Sequence, residues 1–455
     1  MIEVILAMAL LVAVVLSRRS GVREAHKRGA RILDGRAAQR RTARSRPLRS
    51  KPPLTIAGVA IAPGDEVKHF KLIGTTGTGK STAIRELLAA ALDRGDRAVI
   101  TDPDGGYLTR YYDAGRGDVI LNPFDSRSVQ WDPFAEVREP YDAEQLASSL
   151  IPSTEDASGR EWRGYARTFL AAVVRRCHEI GRRNAAELWR LIAMAPSAEL
   201  RPLVANTPAQ PFLEPENARM FGSIRSVAGS AAAALEHVQA QRARTFSVRD
   251  WIGCGRGALF LPYQASQIAA LRTIIATWVR LAIFETMCEE TLCNEGDERR
   301  LWLIVDELDA LGAIDGLKDA LARLRKFGGR CVLGFQSVAQ VSSTYGVGEA
   351  QTLVENCANT LILRCSASEH GGTSQFASRL IGEREVARRS TSRGRDGSGF
   401  PGGRGWRRSM NVSEQRVTEA AVLASELEQL PDLTGYLKAA SSPAWLRVRL
   451  RPDGA

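Results

Sequence analysis

The chain has 455 residues, 44% apolar and 25% charged, enough for two or three domains with full cores and too apolar for a disordered chain. The net charge of +11 is concentrated: residues 17–52 carry 13 Lys/Arg against Glu24 and Asp34, so the remainder sums to zero. The seven cysteines form no C-x-x-C pair and no Cys/His set at zinc spacing, which argues against a disulfide scaffold or a zinc module and fits a reducing cytoplasm.

Residues 4–16 (VILAMALLVAVVL) are uninterruptedly apolar. A bilayer span needs about 20 residues, so the run is short. Positive charge follows the run, starting at Arg18-Arg19, instead of preceding it, and no A-x-A cleavage site is present. Residues 1–17 are therefore expected to be a membrane anchor, with room for a longer span upstream. The positive-inside rule places everything after it in the cytoplasm. Residues 18–52 are Arg-rich and poor in large apolar side chains, so a basic juxtamembrane linker without a core is expected, facing anionic lipid in preference to nucleic acid.

A nucleotide domain is expected to begin at residue 53. The apolar run Phe70, Leu72, Ile73 leads into Gly74, Thr75, Thr76, Gly77, Thr78, Gly79, Lys80, Ser81 and Thr82, and an amphipathic pattern with Ile84, Leu87, Leu88 and Ala91 follows. This is G-x-x-x-x-G-K-[ST] in its required setting of strand, loop and helix. Glycines let loop amides turn inward around an anion, and the new helix adds its positive end. Lys80 is expected on the β- and γ-phosphates of ATP and Ser81 on Mg²⁺. Residues 98–102 and 118–121 read as further buried strands. Asp102, at a strand end, is left open between a phosphate or metal role and a turn cap.

Residues 139–242 lack β-type runs and read as an inserted all-α domain, with a solvated face preferred over nucleic-acid contact for its arginines. Strands resume at 257–262, and a long helix is expected over 265–290. LWLIVDE at 301–307 then supplies an apolar strand ending in two carboxylates. Asp306 is expected to bind the Mg²⁺ hydration shell, and Glu307 to polarise the attacking water. Residues 330–336 form another buried strand ending on Gln336, placed to contact both γ-phosphate and water. Arg325 and Arg364 are two candidates for an arginine finger. Residues 388–408, Gly-rich and basic with Phe400 and Trp406 interleaved, are expected to be a mobile loop. Strands alternating with helices imply an α/β fold around a parallel sheet, its second part covering 243–455.

The passages GTTGTGKST, LWLIVDELDAL, GFQSVAQV, YGVGEAQTL, IGEREV and LPDLTGYL together resemble the conjugative coupling proteins of type IV secretion systems, the TraD/TrwB-type DNA-transfer ATPases. The resemblance implies a RecA-like P-loop domain with an inserted all-α domain, a bacterial inner-membrane anchor and a homo-hexameric ring. It implies ATP-driven passage of single-stranded DNA with its bound relaxase towards the secretion channel proteins; double-stranded DNA stays open as a further partner. It also implies a sensing role for Gln336 and a finger role for Arg325 in LRKFGG, above Arg364. The family commonly has two membrane spans, and only one short apolar run is visible here. Delivery of effector proteins, and a docking platform stabilised by nucleotide without motor activity, are the alternatives.

Overall fold

The computed structural model describes residues 23–44, 53–153, 157–288, 300–368, 372–396 and 407–452. Its centre is a ten-stranded sheet. In chain order the strands are β1 (Ile32–Asp34), β2 (Phe70–Ile73), β3 (Arg97–Pro103), β4 (Val119–Ile120) and β5 (Ala258–Tyr263), then β6 (Leu301–Val305), β7 (Gly329–Phe335), β8 (Asn359–Ile362), β9 (Thr434–Lys438) and β10 (Trp445–Arg449). Across the sheet they lie in the order β1-β10-β9-β8-β2-β7-β6-β3-β5-β4. Only β9 runs against the others.

The middle strands β2, β6 and β7 are buried along their whole length. Helices cover both faces, so these strands read as continuous apolar runs without alternation. Two cores form, one on each face. One gathers Phe70, Leu72, Ile84, Leu88 and Trp302. The other joins Ile73, Leu303 and Val305 to the helical region. At the N-terminal ends of the strands Glu66, Arg94, Asp96 and Arg330 form a buried ionic network. Arg94 donates to Glu66 at 2.7 and 3.1 Å and to Asp96 at 2.5 Å, and Trp302 Nε1 donates to Asp96 at 3.0 Å.

Helices occupy the chain from Asp142–Leu150 to Ala234–Ala240. The last part of this stretch holds two helices, Ala218–Ala232 and Ala234–Ala240, preceded by a short 3₁₀ turn. Before and after this block, Gln130–Trp131 and Thr245–Phe246 pair in parallel and tie its two connections together. Buried Glu136 accepts from Trp131 Nε1 (2.8 Å), Val248 N (2.7 Å) and Arg249 N (3.1 Å), which staples the same neck.

Two expectations are corrected. The segment 18–52 is not a coreless linker throughout: it contains the strands Arg23–Gly29 and Ile32–Asp34 and the helix Arg36–Arg44. Their stability comes from partners far along the chain. Arg23–Gly29 pairs antiparallel with Glu383–Asp396, and Ile32–Asp34 pairs parallel with β10. Cross-strand ion pairs such as Arg28–Glu385 and Lys27–Glu414 absorb charge that a local reading leaves exposed. The expected loop at 388–408 is mostly hairpin, Glu383–Asp396 against Arg407–Ala420, because backbone pairing in register needs no apolar side chains. Its residues 397–406 lie outside the described residues. So does the apolar run 4–16; among the described residues no helix is long and apolar enough to cross a membrane.

Candidate nucleotide site

Parallel strands release their following loops at one edge of the sheet, and sites gather there. The register sets which residues meet. Val305 is level with Leu333 and with Thr101, so Asp306 lies beside Gly334 and Asp102. Phe335 is level with Ile73, so Gln336 emerges beside Gly74. The strand β7 thus carries Gln336 between the phosphate-loop strand β2 and the Asp-Glu strand β6.

The loop 74–79 runs into the helix Lys80–Asp93, which puts Ser81 and Thr82 in its first turn. Gly79 is the cap at φ 115°, a left-handed conformation in which a side chain would be strained. A Cβ there would also lie 2.9 Å from Leu433 Cδ2 and 3.0 Å from Leu450 Cδ1. The carboxyl-terminal segment is seated directly on the loop: Leu433 N donates to Thr78 O at 2.9 Å, and Leu450 N donates to Leu433 O at 2.7 Å. Leu433 itself has φ 61°. Sequence reasoning missed this contact, since its partners are some 350 residues apart. Arg364 also lies beside the loop; its carbonyl accepts from Thr75 N at 2.9 Å and its guanidinium pairs with Asp432 at 2.7 Å.

Lys80 is buried and its ammonium donates to Gly74 O at 2.5 Å and Thr75 O at 3.2 Å. Burial pulls its pKa below the usual lysine range, opposed by the charges of Asp306 and Glu307. Ser81 Oγ donates to Asp306 Oδ2 at 2.9 Å. The other oxygen, Asp306 Oδ1, is buried without a hydrogen-bond partner among the described residues. Gly334 is required beside it, because a Cβ would sit 2.7 Å from Oδ1.

Glu307 follows with φ 61°, ψ 61°, a left-handed backbone that a residue with a side chain adopts at a cost. Gln336 Nε2 donates to Glu307 Oε1 at 3.2 Å, and Thr76 Oγ1 donates to Gln336 Oε1 at 2.9 Å. One amide therefore bridges the loop and the carboxylate. Burial, with the nearby charge of Asp306, raises the Glu307 pKa.

Asp102, left open above, is a cap: Oδ1 accepts from Tyr107 N at 3.0 Å and Oδ2 from Leu108 N at 2.6 Å, at the start of the helix Gly106–Tyr111. Burial pushes its carboxyl up to about 6. Tyr107 OH donates to Asp306 Oδ2 at 2.7 Å, a residue that no motif signals. Tyr263 OH, at the end of β5, is buried without a hydrogen-bond partner among the described residues.

Arg325 does not join this group. It precedes β7, exposed, at the N-terminal ends of the strands, on the opposite edge of the sheet from Gln336. Seven residues of strand put about 20 Å between those edges.

Residues 53–451 match the family described as the type IV secretion-system coupling protein DNA-binding domain. The chain belongs to the type IV secretion-system coupling proteins. It is 31% identical over 395 residues to the coupling protein TraD of Escherichia coli (strain K12), a match spanning 84% of this chain and 52% of TraD. The chain thus spans about half the length of this curated relative. Among solved structures, the unbound monoclinic form of the bacterial conjugative coupling protein TrwBΔN70 superposes with a TM-score of 0.80, at 33% identity over 94% of both chains. TrwB in complex with ADP and Mg²⁺ gives 0.79, at 32% identity over 95% of both. VirB4 of Thermoanaerobacter pseudethanolicus, at 15% identity and a TM-score of 0.50 over 85% of this chain and 90% of VirB4, shares the fold. The coupling protein has the RecA-like α/β fold expected from its motifs.

Proposed function

We propose that this chain is an inner-membrane-anchored ATPase, its globular part cytoplasmic, that couples ATP hydrolysis to passage of single-stranded DNA with its bound relaxase into a type IV secretion channel. The observation that carries this reading is the bridge Thr76–Gln336–Glu307, which ties the phosphate loop to a carboxylate able to activate water. Solved TrwB structures hold ADP with Mg²⁺ and non-hydrolysable analogues of ATP and GTP, which supports a nucleotide here. The description of the matching family as DNA-binding supports the cargo.

In this mechanism the loop amides of residues 74–79 and Lys80 hold the β- and γ-phosphates of ATP. Ser81 Oγ and the buried, unpartnered Oδ1 of Asp306 are hard oxygen donors that suit Mg²⁺, Asp306 acting through the ion's hydration shell. When bound, the ion neutralises charge shared by the β- and γ-phosphates. Glu307 aligns a water and accepts its proton as the water oxygen bonds to the γ-phosphorus. The bond from that phosphorus to the bridging oxygen breaks, and ADP leaves with its electron pair. The raised Glu307 pKa makes the carboxylate a more willing acceptor. Gln336 touches both the loop and the base, and the helix Val338–Tyr345 starts two residues later, a short path from phosphate loss to backbone movement. Arg325, exposed far from its own site, acts on the γ-phosphate of a neighbour in a homo-hexameric ring.

ATP-driven displacement of streptavidin from biotinylated single-stranded DNA by the full chain tests the proposal. Displacement that needs ATP and is lost in Lys80→Ala is expected. Turnover of ATP without displacement would remove the translocase step.

A further inference from the structure

We infer that Tyr107 is a positioning residue for Asp306: its phenol pins one carboxylate oxygen so that the other is the oxygen presented to a divalent cation. This rests on the Mg²⁺-nucleotide reading above.

The Asp306 carboxylate is used asymmetrically. Oδ2 receives two donors, Ser81 Oγ at 2.9 Å and Tyr107 OH at 2.7 Å, while Oδ1 is buried with none among the described residues. A carboxylate torsion is broad and nearly two-fold, so an unrestrained group would exchange its oxygens. The two donors are not equivalent. The Ser81 hydroxyl is also the phosphate-loop group that would offer a lone pair to Mg²⁺, so the ion and Oδ2 together set its rotation. Tyr107 lies outside the phosphate loop, and its phenol donates its single proton to Oδ2. The residue is 2% exposed, and its backbone is fixed by Asp102, which is 0% exposed and accepts from the amides of Tyr107 and Leu108. The strand register brings Asp102, which holds this helix start, level with Asp306, since Thr101 is paired with Val305. Outer partners that orient a metal-binding carboxylate set affinity by about ten- to a hundredfold.

The experiment measures the affinity of the full chain for fluorescent ADP in Mg²⁺ and in EDTA, for the wild type, Tyr107→Phe and Tyr111→Phe. Tyr111 lies on the same helix and donates to Arg85 O at 3.1 Å, away from Asp306, so it controls for loss of a hydroxyl. Tyr107→Phe is expected to lose about tenfold or more of the Mg²⁺-dependent gain, with affinity in EDTA unchanged; Tyr111→Phe is expected to keep the gain. A full Mg²⁺ gain in Tyr107→Phe overturns the inference. So does equal weakening in both media, which would make Tyr107 a fold residue. A wild type without any Mg²⁺ gain overturns the nucleotide reading itself, and is read separately from the variants.

Discussion

Gly334→Ala is a small change with a calculable consequence. The added Cβ would sit 2.7 Å from Asp306 Oδ1, 3.5 Å from its Cα and 3.7 Å from its Cγ, where ordinary contact begins at 3.4 Å. The backbone of β6 therefore has room, and only the carboxylate must move, by about 0.7 Å. That movement lengthens the 2.9 Å bond from Ser81 and the 2.7 Å bond from Tyr107. Overpacking of this kind costs about 1–3 kcal/mol of stability. Displacement of an aligned group by about 1 Å costs about a hundredfold in rate. The assay pairs a thermal melt with ATP turnover at saturating ATP and Mg²⁺. A modest fall in Tm with a fall in turnover near a hundredfold is expected. Wild-type turnover in Gly334→Ala would refute the claim that Asp306 works from this position.

If Arg325 acts across a subunit boundary, Arg325→Ala and Lys80→Ala are each inactive alone, and mixing them restores part of the turnover through interfaces with both groups intact; no recovery on mixing would return the role to Arg364 or to neither. Because burial and Asp306 raise the Glu307 pKa, its base form is lost on acidification at a higher pH than that of a free glutamate, so turnover should fall earlier on the acid side; an acid limb no higher than a free glutamate gives contradicts this. Arg94→Met removes the buried cation that Glu66 and Asp96 share, leaving Glu66 with Arg330, and should cost about 3–5 kcal/mol, read as a lower Tm of the full chain; an unchanged Tm would show that Arg94 is dispensable to the network.

What was legible in the sequence was what is local. The strand, loop and helix around Lys80 lie within about 25 residues, and the apolar strand before Asp306 announces itself by composition. Gln336 was legible as the polar residue closing a buried strand. Tyr107 was not, because its partner is 199 residues away and a tyrosine after a glycine turn carries no signal. The Leu433 seat on Thr78 was hidden for the same reason. The arginine-rich strand at 23–29 was misread because its charges are answered by Glu385 and Glu414 on a distant hairpin. Arg325 fell where the family resemblance puts it, and only the sheet register reveals that this is the edge away from its own phosphate loop.

The central claim is that nucleotide hydrolysis at Glu307 is coupled to DNA. The most direct test is steady-state ATP hydrolysis by the full chain with and without single-stranded DNA, for the wild type and Glu307→Gln, with ATP binding measured on the same samples. The account predicts strong stimulation by DNA in the wild type, and in the variant a loss of about 10²–10⁴-fold with ATP binding kept. Hydrolysis indifferent to DNA, or undiminished in Glu307→Gln, would contradict it.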